Sequence, residues 1–285
     1  MNRRSFVIAS IASIAVALAA TRVAAQDFPK FGDEVYQPSY GQAGKDVIWI
    51  PTPDALVTRM LAVARVTSQD VVYDLGAGDG KIPIAAAKQF SAKAFGIEYN
   101  PDMAALARRN AERAGVADNV KIITGDIFKE DFTKATVITL YLLPALNLQL
   151  RPQILEMKPG TRVVSHAFHM GEWEPDEAFQ VESRDGYLWI VPAKVAGRWN
   201  LKDDRGSLDA TIELTQQFQR IGGTITIKGK TQPLLGAYVS GSNMGFTFVD
   251  ADGGVRSVRA AVEGDTLKGT LRFAGLLSDV NGKRL

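Results

Sequence analysis

A chain of 285 residues with 46% apolar and 22% charged side chains has the composition of a folded globular protein, not a disordered or fibrous one. It holds no cysteine, which excludes disulfides, thiolate metal sites and a cysteine nucleophile. The formal net charge of +2 rests on Arg3, Arg4 and Arg22; from residue 26 onward 30 basic side chains face 31 acidic ones, so nothing marks a nucleic-acid partner.

Residues 1–25 read as an export leader. Asn2-Arg3-Arg4 is a charged start, Phe6 to Ala20 an apolar run, and Val23-Ala24-Ala25 a small-residue cleavage site. The run is short for a membrane span. Arg3-Arg4-Ser5-Phe6 is similar to a twin-arginine signal, the route for proteins exported already folded. The expected location is periplasmic; an uncleaved leader would instead anchor the chain at the inner membrane.

Residues 26–50 are rich in Pro, Gly and Tyr and predict an extended arm. Thr52-Pro53-Asp54 predicts a helix start with Thr52 as N-cap, and Leu56, Val57, Met60, Leu61 and Ala64 form its apolar face. An alternation follows: strand 71–75, helix 81–90, strand 94–98, a helix opened by Asn100-Pro101 and stopped by Gly115, strands 120–124 and 135–141, a helix around 145–157 and a strand over 161–166. Strands alternating with helices predict a doubly wound parallel sheet. Two further runs, 179–183 and 187–191, predict a hairpin over Arg184-Asp185-Gly186. Beyond about 195 the runs alternate apolar and polar residues between glycine-rich turns, among them Gly222-Gly223, Gly241-Ser242-Asn243 and Gly264-Asp265. That pattern predicts a small antiparallel barrel or sandwich. The expected organisation is a leader (1–25), an arm (26–50), an α/β unit (51–194) and an all-β unit (195–285).

The chemistry gathers at three strand ends. Val71-Val72-Tyr73-Asp74-Leu75 runs into Gly76-Ala77-Gly78-Asp79-Gly80; Ala94-Phe95-Gly96-Ile97 closes on Glu98; Val120-Lys121-Ile122-Ile123 leads to Gly125-Asp126. Glycines and carboxylates at the carboxyl edge of a parallel sheet suit a nucleoside cofactor. A dinucleotide fingerprint wants a third glycine where Lys81 stands, and a Walker loop wants Ser or Thr where Ile82 stands. Asp74 and Asp79 would also repel phosphate. They suit a cationic, phosphate-free ligand, and S-adenosylmethionine carries a sulfonium and an ammonium that gain charge-assisted contacts from carboxylates.

This D-L-G-x-G-x-G turn, the acid at the second strand end and the Gly-Asp at the third resemble the class I S-adenosylmethionine-dependent methyltransferases. Tyr36-Gln37-Pro38-Ser39, the block from Gly44 to Pro53, Gly96 to Pro101 and Leu140-Tyr141-Leu142-Leu143-Pro144 extend the likeness over roughly 35–193. They are similar to a bacterial family related to the small protein-lysine methyltransferases, including those acting on the c-subunit of ATP synthase. The resemblance implies that Asp74, Gly76 and Gly78 hold the methionyl end and Glu98, with Tyr99 beside it, the ribose. It implies that Asp126 and the Ile127 backbone recognise adenine, and that Thr52-Pro53 close over the cofactor.

The fourth strand end carries Tyr141-Leu142-Leu143-Pro144, not the [ND]-P-P-[YF] of enzymes that methylate bases or glutamine amides. An apolar lining suits a lysine stem, whose amine becomes nucleophilic once desolvated and neutral. Transfer needs mainly positioning, so no general base is named and Tyr141 stands as the catalytic, acceptor-side candidate. His166 and His169, near Glu172, Glu174 and Asp176, invite a metal; their spacing on a strand opposes them, so no metal is expected. Trp173 and Trp199 read as packing anchors. The β unit carries no catalytic signature and is open to substrate docking, a lid, support or a ligand cup. The expected function is S-adenosylmethionine-dependent methylation of a protein lysine, with no nucleic-acid partner. The alternatives are a small-molecule methyltransferase whose β unit shapes the acceptor pocket, and a non-catalytic exported binding protein.

Overall fold

The computed structural model describes residues 31–285; the leader expected over 1–25 lies outside the described residues. The α/β unit contains β1 (Val71–Leu75), β2 (Lys93–Glu98), β3 (Val120–Thr124), β4 (Val137–Leu140), β5 (Arg162–His166), β6 (Glu177–Val181) and β7 (Arg184–Ile190). They form one sheet in the order β3-β2-β1-β4-β5-β7-β6. The first five strands are parallel, and β7 and β6 add an antiparallel edge. The strand order reverses at β1, where β2 lies on one side and β4 on the other, and that is where a doubly wound sheet opens its ligand crevice.

Successive residues of each strand feed opposite faces. Val72, Val137 and Val164 pack under α1 (Asp54–Val63), α2 (Lys81–Phe90) and α3 (Pro101–Arg113). Tyr73, Ile138 and Val163 pack with Leu150 and Ile154 of α4 (Pro144–Leu155). The period of two expected of a sheet buried on both faces is therefore met by residues apolar on both.

Three local expectations change. Thr52 does not cap α1: Pro53 is the N-cap position, no side chain caps it, and the Thr52 hydroxyl turns inward instead. The β6–β7 turn falls at Glu182-Ser183, both at positive φ, with Val181 paired to Arg184. Gly186 lies inside β7, where a Cβ would stand 2.4 Å from the Phe179 ring; that glycine serves packing across the hairpin, not the turn. Gly222-Gly223 likewise sits inside a strand, β10 (Arg220–Ile227). A Cβ on Gly223 would meet the Glu213 carbonyl at 2.0 Å, so the glycine allows two strand backbones to approach, and the turn falls at Phe218-Gln219.

From β8 (Gly197–Asp203) to β16 (Leu276–Arg284) the chain is an antiparallel meander that closes on itself, β16 pairing β8. β11 (Lys230–Pro233) and β12 (Leu235–Ser240) split one edge between them, so the closed ring has eight strands. The barrel alternative holds over the sandwich. Trp199, Leu201, Ile212, Phe248 and Leu267 fill its interior, as side chains do in barrels of this size, so the cup reading does not hold for its centre.

The barrel meets the sheet away from its carboxyl edge. Gly241 lies against Gly160, which precedes β5, and accepts from the Ala193 amide. Phe218 stacks on Trp173 at 6.1 Å, and Arg220 pairs with Glu174. Trp173 and Trp199 are both fully buried, in the packing role expected of them.

Candidate active site

The turn after β1 depends on glycine at three positions. Gly76, Gly78 and Gly80 all have φ between 54° and 85°, a left-handed backbone that side chains disfavour. The amides of Gly76 and Ala77 bond the Ile97 carbonyl at 2.9 Å and tie the turn to the end of β2. Gly80 lets α2 approach Ala107 of α3, and the Asn110 side chain donates to the Asp79 carbonyl. Glu98 accepts from the Gly78 amide at 2.8 Å and from the Asn100 amide at 2.9 Å, so the second strand end braces the glycine turn.

A cavity of about 940 Å³, counting its open mouth, lies over these ends. Thr52, Asp74, Gly76, Gly78, Glu98, Tyr99, Asp126, Ile127 and Tyr141 all line it. Pro53 does not; it stands one residue back, opening α1. The sequence therefore brings together nine of its ten candidates.

Electrostatics single out Asp74. It is buried, and among the described residues its carboxylate has one hydrogen bond, accepted from Thr139 at 2.6 Å across the β1–β4 pairing. Burial pushes its carboxyl up to about 7, and the neighbouring Glu98 and Asp79 push the same way. Burial also raises Glu98 and Asp79, the latter against the opposing charge of Lys81. Three crowded acids held toward protonation are what a cationic ligand relieves. The donor set fits S-adenosylmethionine: an under-bonded buried acid for a cation, a carboxylate at the second strand end for two hydroxyls, and a glycine turn that leaves room beside them.

The other wall comes from the arm. Asp33 is gripped by Arg109 and Arg113 of α3, which hold its carboxyl well below the usual range. A bridge between Ala43 and Ile48 then folds residues 44–50 over the cavity. Trp49 lies on the glycine turn, its Nε1 2.6 Å from where a Cβ of Gly78 would be. Lys45 reaches Asp126 at 3.0 Å, with its ammonium 5.2 Å from the centre of the Tyr99 ring. Asp126 accepts from the Phe128 amide as well as Lys45, and both contacts lower its pKa. Lys45 thus rests on the subsite expected to receive adenine. Lys45 and Trp49 had no local signal as site residues, because each acts on a partner more than 25 positions away.

A second cavity adjoins the first. Ile48, Ile50, Tyr141, Leu143 and Phe168 give it apolar walls, and Tyr141 and residues 44–48 line both cavities. No described residue beyond Phe168 lines either, so the walls of both cavities come from the arm and the α/β unit. His166 and His169 do part, though not by strand alternation, because β5 ends at His166: His166 is buried against Tyr141, and His169 is exposed against Tyr187. No cluster of metal-ligating side chains occurs among the described residues.

Comparison with known proteins places the α/β unit in a family. The family described as the ANTKMT methyltransferase domain matches residues 74–177. A protein-lysine N-methyltransferase of Saccharolobus islandicus is 44% identical over 153 residues, covering 51% of this chain and 94% of that enzyme. A lysine N-methyltransferase of Xenopus laevis, named for the c-subunit of ATP synthase, is 30% identical over 132 residues; the match covers 46% of this chain and 58% of that enzyme. Among solved structures, an RNA methyltransferase of Salinibacter ruber in complex with S-adenosyl-L-homocysteine is 50% identical at a TM-score of 0.50. That match covers 51% of this chain and 96% of that one. The family match falls on the α/β unit, and the archaeal enzyme is matched almost from end to end: the chain belongs to the S-adenosylmethionine-dependent methyltransferases, in the family of the protein-lysine N-methyltransferases.

Proposed function

We propose that this methyltransferase acts on the ε-amine of a lysine in a protein acceptor. The observation that carries this reading is the second, apolar cavity, which opens against the cofactor cavity and shares Tyr141 and the 44–48 wall with it. Bound S-adenosylmethionine supplies the electrophilic methyl group. In the proposed roles, Asp74 meets the cationic methionyl end, Glu98 accepts from the ribose hydroxyls, and Asp126 with the Ile127 backbone takes adenine beside Tyr99. Thr52 closes the near wall.

Ile48, Ile50, Leu143 and Phe168 strip water from a lysine stem, and a desolvated amine sheds its proton to become a nucleophile. Burial raises the Tyr141 phenol above its ordinary value, so it keeps its proton and serves as a hydrogen-bonding wall, not a base. Asp46 lines the same cavity at an exposed position, paired with Lys45 at 3.4 Å.

The Salinibacter neighbour is named for RNA, which makes RNA the reading to test against. Residues 31–194 carry 21 acidic and 17 basic side chains, and a unit with a net acid excess disfavours a phosphate backbone. The leader expected over 1–25 supports an acceptor in the cell envelope, with the chain exported or, if the leader stays, held at the membrane. No helix among the described residues is long and apolar enough to cross one.

Methyl-labelled cofactor and a cell-envelope extract test the proposal. Label is expected in protease-sensitive, nuclease-resistant material, on methyl-lysine. Tyr141→Ala should lower that labelling by about 10- to 100-fold while changing cofactor affinity less than about threefold. Label confined to nuclease-sensitive or small-molecule fractions would overturn the protein reading.

A further inference from the structure

His166 is buried at the end of β5, and it lines neither cavity. Its ring stacks on Tyr141 with centroids 3.7 Å apart and planes 26° from parallel. Its Nδ1 lies 3.1 Å from the Thr52 hydroxyl. Each of those two contacts is with a residue of the cofactor-cavity wall, and Tyr141 belongs to the acceptor cavity as well. Thr52 and Tyr141 are 89 positions apart, on the approach to α1 and at the end of β4, and the imidazole joins them. We propose that His166 is a positioning residue for methyl transfer, fixing the Tyr141 ring and the Thr52 hydroxyl on the wall where the two cavities meet. The proposal rests on Tyr141 facing the acceptor, as assigned above.

The choice of residue type supports it. Phenylalanine could stack on Tyr141 but could not hold a hydroxyl. Asparagine could hold the hydroxyl but offers no ring to stack on. Imidazole does both. Burial and the nearby Arg184 hold it down to about 4, so it is uncharged at neutral pH and adds no cation to repel an incoming lysine. A ring misplaced by about 1 Å at such a wall costs rate out of proportion to stability.

The full chain tests this in two arms. In the first, ring-nitrogen NMR is recorded on the wild-type and Thr52→Val proteins; the chain has two histidines, His166 and His169, so the signals are few. Thr52→Val should shift the resonances of His166 and leave those of His169 in place. In the second, His166→Phe and His166→Asn are assayed at saturating cofactor on the acceptor fraction that the wild type labels. His166→Phe should lower kcat by about tenfold or more, with cofactor Kd within about threefold and a melting temperature lowered by only a few degrees for the lost buried contact. His166→Phe combined with Thr52→Val should be no worse than the poorer single variant, because both remove the same contact.

Additive losses, wild-type turnover in His166→Phe, or unmoved His166 resonances in Thr52→Val would each overturn the proposal. Should His166→Phe fail to fold, His166→Asn and the NMR arm still decide. If the wild type labels no protein, the lysine reading falls alone, since the NMR arm needs no acceptor.

Discussion

Asp74→Asn is expected to abolish most cofactor binding while making the ligand-free protein more stable. The two effects share a cause. Asp74 is buried, bonded among the described residues to Thr139 alone, and raised to about 7. In the unfolded chain the same carboxyl ionises near 4. Between those values the folded protein keeps a proton that the unfolded chain releases, so the stability of the ligand-free fold falls as pH rises from about 4 and levels off above about 7. The full shift corresponds to about 4 kcal/mol. Asparagine keeps an oxygen to accept from Thr139 and never charges. The variant should therefore melt higher than wild type at pH 8 and about level with it at pH 4, by calorimetry without ligand.

Cofactor binding runs the other way. The ionised carboxylate is the form that meets a cation, so wild-type affinity should rise with pH to about 7 and then flatten. Charge-assisted contacts of roughly 1.5–3 kcal/mol disappear in the variant, a loss of about 10- to 100-fold in affinity, with the pH dependence flattened. A variant that binds as wild type, or that melts lower at pH 8, would remove Asp74 from the role assigned to it.

The second large effect is expected at Gly78. Alanine there meets two penalties. The backbone φ of 54° costs a side chain about 1–2 kcal/mol, and the added Cβ would stand 2.6 Å from Trp49 Nε1. The glycine turn is braced by Glu98 and the Ile97 carbonyl, whereas Trp49 rides on the arm, so the arm gives way. Gly78→Ala should thus weaken cofactor binding about tenfold or more by lifting the 44–50 wall. Trp49→Ala removes the overlap together with part of the wall, so the double variant should bind about as well as Trp49→Ala alone. Titration calorimetry on the four proteins gives the answer; equal, additive losses would mean that the two residues do not meet.

The parts of this site that were legible in the sequence are those whose chemistry is local. Gly76, Gly78 and Gly80 stand where the chain turns left-handed, and Asp74, Glu98 and Asp126 stand at or just beyond the ends of β1, β2 and β3. Helix α2 matches its expected span because the glycine turn starts it and Ser91, at a φ of 56°, stops it. What stayed hidden depends on partners far along the chain. Thr52 reads as a cap because Thr-Pro-Asp is a local pattern, yet its hydroxyl answers to a histidine 114 residues later. Lys45 finds Asp126 across 81 residues. Gly186 and Gly223 look like turn residues, and only the neighbouring Phe179 ring and the Glu213 carbonyl show that they are gaps left for packing.

The wall formed by residues 44–48 has a temporal consequence. It belongs to both cavities, and its Lys45 pairs with Asp126, where adenine is expected. Cofactor entry must displace Lys45 and resettle this segment, so the acceptor cavity takes its final shape only afterwards. The substrates should then load in a fixed sequence, cofactor first, with spent cofactor leaving last and inhibiting competitively against fresh cofactor but not against acceptor.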